Sequence, residues 1–147
     1  MFSLVTTLIL HNYSLRAMKH NYLEKMSFGI YLGWICVATI ANFTTVLINF
    51  KWDVFGFSES VWTIIMITIG IMIGALVTNV LKNPFVALVI IWAFLGIFLK
   101  RSLDEIPITN IIYALYFGIG FLFLIFVFTL KQFVLSIGKL NNLKDIY

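Results

Sequence analysis

Charge is scarce in this chain of 147 residues, which carries ten lysines and arginines, six acids and two histidines. Charged side chains make up 11% of it, against about 25% in ordinary soluble domains. Hydrophobic residues fill 62% of the sequence and the mean hydropathy is +1.05. A soluble fold of this length buries only about two-thirds of its surface, so a chain this apolar would expose wide sticky patches to water. The single cysteine, Cys36, excludes an internal disulfide, and one cysteine with two histidines cannot form a recurring structural zinc site. Disordered tails and collagen are excluded on the same composition. What is left is an all-α, polytopic membrane protein with the lipid bilayer as its main solvent.

What is abundant is arranged in long apolar runs. Four of them reach, or nearly reach, the length needed to cross a hydrocarbon core of about 30 Å. They are residues 27–50, 61–81, 84–99 and 109–130, and none contains an acid, a lysine, an arginine or a histidine. The third is short, roughly 24 Å by helical rise, but Lys100 and Arg101 can snorkel at its end. Polar connections separate the spans: KWDVFGFSES over 51–60, Lys82-Asn83-Pro84, and KRSLDEIP over 100–107. Proline at 84 suits the first turn of a helix, and Ser58 or Ser60 suits an N-cap with Glu59 beside the positive helix end.

The expected architecture is a transmembrane helical bundle of four spans plus a partial N-terminal helix. Residues 1–26 read as that partial apolar helix and a basic cytoplasmic segment, 27–130 as the bundle, and 131–147 as a basic amphipathic cytoplasmic tail at the headgroups. Phe2 to Tyr13 is apolar but only about 18 Å long as a helix, too short to span and without the flanks of a signal peptide. It reads as the second half of a helix, with Met1 an internal methionine of a longer ancestral chain. Arg16, Lys19, Lys25, Lys82, Lys131, Lys139 and Lys144 fall on one side of the spans and Lys51, Lys100 and Arg101 on the other. That asymmetry predicts a multi-pass protein of the cell membrane with both termini cytoplasmic. Because the basic residues lie in the gaps between apolar runs and form no aromatic-laced patch, no nucleic-acid partner is expected.

Inside the spans, Trp34, Ala38, Asn42, Thr45 and Asn49 all fall within about 60° of Tyr31 on a helical wheel. Lipid offers no hydrogen bonds, so this stripe is expected to point into the bundle. Gly29 and Gly33 lie on the opposite face with Cys36, and Gly70 and Gly74 repeat the small-xxx-small spacing in the second span, with Thr63 and Thr78 near them. These four glycines are the expected helix-packing positions, within the chain in preference to a dimer. In the fourth span Asn110, Tyr113, Phe117 and Gly120 share a face, and most of the phenylalanines over 121–128 are expected against lipid. Trp52 and Trp62 suit the interfacial aromatic belt. Trp34 and Trp92 lie about eight residues inside their spans, where each indole N–H needs an acceptor. A core tryptophan bonded to a carbonyl or an asparagine and the wall of a hydrophobic ligand pocket are both open readings.

Catalytic constellations are missing. The spans hold no acid–base pair, and no serine or threonine within them has a base in reach, so the chain is expected not to be an enzyme. No metal site and no cofactor are expected, and the lack of intramembrane charge argues against an ion-coupled pump.

The run IYLGWICVATIAN over 30–42, with WDVFGFSESVW over 52–62 and IWAFLGI over 91–97, resembles the tryptophan-rich sensory proteins of the TspO/MBR group of membrane proteins, in their longer, distant branch. Residues 2–101 carry the similarity, and Tyr31, Gly33, Trp34, Asn42, Trp62 and Trp92 are the matching positions. The resemblance implies an all-helical bundle that binds or moves an apolar small molecule, porphyrin-like or sterol-like, with sensory output and no settled enzymatic role. Members of that branch begin with further helices containing a Pro/Trp-rich segment, which this sequence lacks. The resulting expectation is a ligand site walled by Tyr31, Trp34, Asn42 and Trp92. Two other readings stand beside it: an assembly subunit pairing with itself or with a separately encoded N-terminal half, and a truncated fragment without independent activity.

Overall fold

The structure, a computed structural model, describes Thr6, Leu10 and residues 22–49, 58–103 and 109–144. Among the described residues are four long helices: α1 (Tyr22–Asn49), α2 (Glu59–Leu81), α3 (Pro84–Ser102) and α4 (Thr109–Lys144). All four are long and apolar enough to cross a membrane, and no strand occurs among the described residues. The chain is an all-α bundle of membrane-spanning type, as the apolar runs predict. Of the partial N-terminal helix expected over 2–13, only Thr6 and Leu10 are described, both helical; the rest lies outside the described residues.

Helix ends extend beyond the apolar runs because charge is welcome at the right pole of a helix dipole. Glu24 lies in the first turn of α1, which begins five residues ahead of Ser27, and Lys100 and Arg101 lie in the last turn of α3. Nothing breaks α4 at residue 130, so the basic stretch up to Lys144 continues the same rod of 36 residues. Ser58 occupies the N-cap of α2 with extended backbone, but its side chain makes no capping bond; its carbonyl accepts from Val61 and Trp62 instead.

The turn between α2 and α3 is built by residue chemistry. Lys82 adopts the left-handed conformation (φ 50°) and its N–H donates to the Thr78 carbonyl, closing α2. Asn83 is the N-cap of α3, its Oδ1 accepting from the Phe85 N–H at 3.2 Å while Pro84 fills a position that needs no donor. The other end of the same amide, Nδ2, donates to the Lys25 carbonyl on α1 at 2.7 Å. One buried side chain, 3% exposed, therefore starts α3 and ties it to α1.

Short connections make the helices alternate in direction, so α1 and α3 run parallel. α3 packs against all three other helices, whereas α1 and α4 do not touch among the described residues. That places α2 and α3 across the short diagonal of the bundle. The glycines decide how closely they approach. A Cβ on Gly33 would lie 2.9 Å from the Val89 Cβ and 3.1 Å from the Val86 carbonyl oxygen. A Cβ on Gly29 would meet the Asn83 amide at 2.5 Å. Without glycine at both positions the α1–α3 contact could not form at this spacing. Phe94 of α3 fills a layer with Gly70 of α2 and Gly118 of α4, and one turn away Ile90 sits against Gly74 with Leu122. Leu32, Cys36, Ile67, Val86 and Leu115 complete a continuous buried core.

Candidate functional site

The outer face shared by α1 and α3 carries the aromatic residues singled out by the sequence. Because the two helices run parallel at glycine spacing, Trp34 and Trp92 come level, with ring centroids 5.7 Å apart and planes inclined at 41°. The separation lies within the range of about 4.5–7 Å over which aromatic pairs attract. Both rings are largely uncovered by protein, Trp34 at 50% and Trp92 at 62% exposure. They lie roughly 12 to 17 Å along the helical rise from the starts of their spans, well below the interfacial belt. Among the described residues neither indole N–H has a hydrogen-bond acceptor.

Tyr31 stands one turn from Trp34 on the same helix and is 50% exposed. Asn42 is also exposed but lies eight residues beyond Trp34, about 12 Å away along α1. The structure thus brings Trp34 and Trp92 into contact, leaves Tyr31 beside them and sets Asn42 apart.

The expectation that the stripe points into the bundle is corrected here. Tyr31, Asn42 and Thr45 face outward, while Gly29, Leu32, Gly33 and Cys36 face inward; the side chain of Asn49 lies outside the described residues. Two physical causes explain the inversion. Threonine hydroxyls need no partner from another helix, because each donates to the carbonyl one turn back: Thr39 to Ile35 at 2.7 Å, Thr44 to Ile40 at 2.8 Å and Thr45 to Ala41 at 3.0 Å. Asn42 is likewise not left free. Close backbone approach then wins the interior for the glycine face, since packing and not polarity separates helix from lipid.

Gly70 and Gly74 are buried within the chain against Phe94, Ile90 and Leu122, so an oligomer would have to use some other surface. On α4, Asn110, Tyr113, Phe117 and Gly120 all face outward, as do Phe121, Phe123 and Phe128.

Three residues take parts in the structure that the sequence alone does not assign to them. Asn83 was legible as an N-cap, because asparagine directly before a proline is a helix-start signal, but its reach to Lys25 was not. Gly118 packs against Ile71 and Phe94 while Gly120, two residues on, has open space beside it; only helical phase distinguishes them. Thr78 is fully buried and its Oγ1 has no partner, although its carbonyl receives the Lys82 and Asn83 N–H groups.

No cluster of metal-binding side chains occurs among the described residues. A family model described as TSPO-like protein matches residues 1–128, which is most of the chain. No curated protein and no solved structure matches it significantly.

Proposed function

The chain belongs to the TSPO-like protein family, and on that premise we propose that this membrane protein binds a hydrophobic or tetrapyrrole-like small molecule on the Trp34–Trp92 face of α1 and α3, in a sensory or transport role. The observation that supports this reading most is a pair of adjoining indoles, deep along their spans, whose N–H donors lack acceptors. A donor in hydrocarbon without an acceptor is costly. A planar ligand with a polar atom near its rim satisfies the donors and covers both rings. In this mechanism the indoles supply contact area, the Tyr31 hydroxyl orients the polar end, and Asn42 meets only a ligand long enough to extend two turns further along α1. No covalent chemistry is involved, and the protein is not an enzyme in this reading.

Titration of the full chain in detergent with a porphyrin, followed by tryptophan emission, tests the proposal. Quenching is expected to saturate, and Trp34→Leu or Trp92→Leu to weaken the affinity about tenfold, the factor expected for losing an aromatic contact. Quenching that never saturates, or that is equal in both variants and the parent, rejects the site.

A further inference from the structure

At the end of the bundle opposite the α1–α2 connection, a cleft of about 170 Å³ opens between the start of α1, the α2–α3 turn and α4. That is roughly ten times the space needed to seat one water. Its polar lining comes from Lys25, Lys82, Asn83, Gln132 and Ser136, and no acid among the described residues contributes to it. Phe85 and Phe133, in edge-to-face contact at 5.8 Å, join α3 to α4 beside it.

The fold brings both lysines to the one cleft. Asn83 holds the Lys25 carbonyl, which fixes the first turn of α1 against the turn that carries Lys82. Lys82 itself stands at a left-handed helix terminus, the position at which glycine is usual. Neither lysine is paired with an acid among the described residues, and the half-buried Gln132 amide makes no hydrogen bond there. Asn83 is already committed at both ends, and Ser136 donates to the Phe133 carbonyl while its lone pairs stay available. Among the described residues the cleft therefore presents two cations and an amide donor with no anion.

Its depth identifies the anion. Lys25 lies two residues inside the candidate span that begins at Leu23, Lys82 sits between the spans ending at Leu81 and starting at Pro84, and Ser136 ends the last one. The cleft is at the boundary between hydrocarbon and headgroups, on the side that carries seven of the ten basic residues. We infer that it binds the phosphate of an anionic phospholipid headgroup, with Lys25 and Lys82 neutralising the charge and Gln132 donating to an ester or phosphoryl oxygen. This site is separate from the Trp34–Trp92 face and does not depend on what that face binds.

Thermal unfolding of the full chain in a neutral detergent, titrated in turn with phosphatidylglycerol, phosphatidylcholine and inorganic phosphate, tests the inference. Phosphatidylglycerol is expected to stabilise saturably, phosphatidylcholine much less, and the effect to shrink with added salt. Lys25→Gln and Lys82→Asn are each expected to weaken phosphatidylglycerol binding about fivefold. Asparagine tolerates the left-handed backbone, so the second variant keeps the turn. Gln132→Ala weakens binding without altering charge, whereas Lys131→Gln, outside the cleft, and Trp34→Leu leave it unchanged. Equal responses to the two lipids, or a loss in Lys131→Gln as large as in Lys25→Gln, would overturn the site. Equal saturation by inorganic phosphate at matched concentration would overturn the lipid as its source.

Discussion

Asn83 does more with one amide than any other side chain described. Its oxygen starts α3 and its nitrogen holds α1, so replacing it by alanine removes both bonds and leaves the Lys25 carbonyl without that donor. Asn83→Ala is expected to destabilise the protein by about 1–3 kcal/mol, seen as an earlier transition in detergent. Asn83→Asp retains the acceptor for Phe85 but not the donor for Lys25, and should fall between the two. Thr45 makes the opposite case. Because its hydroxyl bonds within its own helix and faces outward, Thr45→Val should change stability by no more than about 0.5 kcal/mol. A large loss would show that the hydroxyl is needed inside the bundle. At this scale the sequence identifies which residues are polar but not which carbonyl satisfies each one. The stripe of α1 was misassigned because a threonine that bonds one turn back looks the same in a sequence as one that needs a neighbour.

Helix contacts follow the glycines, and each glycine has an assignable neighbour or none. Gly118 faces Ile71 and Phe94 at 2.8 to 3.2 Å, whereas nothing lies within 4 Å of a Cβ on Gly120. Gly118→Ala is expected to destabilise the bundle by about 1 kcal/mol, the low end of overpacking, because the end of the Ile71 side chain can give, and Gly120→Ala to be neutral or stabilising by about 0.5–1 kcal/mol. Paired unfolding curves distinguish residues only two positions apart. The same logic makes Gly33→Leu severe, because the obstruction is the Val89 Cβ and the Val86 backbone, which cannot move aside as the end of a flexible side chain can. Element existence was legible from run length and the absence of charge. Helix α1 begins five residues ahead of the apolar run that starts at Ser27, and α3 runs three residues past Leu99, because Glu24, Lys100 and Arg101 each sit at the pole of a helix dipole that favours them; charge ends an apolar run without ending a helix.

For the molecule as a whole, the asymmetry of seven basic residues against three sets an expected orientation. Cysteine placed at Lys139 should react with a membrane-impermeant maleimide only from the cytoplasmic side, and cysteine at Lys51 only from the other. Background is low, since the native Cys36 is buried. The bundle class and the candidate aromatic pair were both readable in advance: apolar runs define the first, and tryptophans below the interfacial belt define the second. The partnership of α1 with α3 was not, because span order alone favours neighbours in sequence, and only the coincidence of Gly33 with Val86 and Val89 fixes the longer-range pairing.

That pairing imposes a schedule on biogenesis. When α1 leaves the ribosome, the helix that will receive its glycine face is still untranslated, and roughly 3–10 s of synthesis pass before α3 follows. During that interval the glycine notch of α1 exists without the helix that fills it. Delivery of α3, more than insertion of α1, is then the event that commits the newborn chain to its final form.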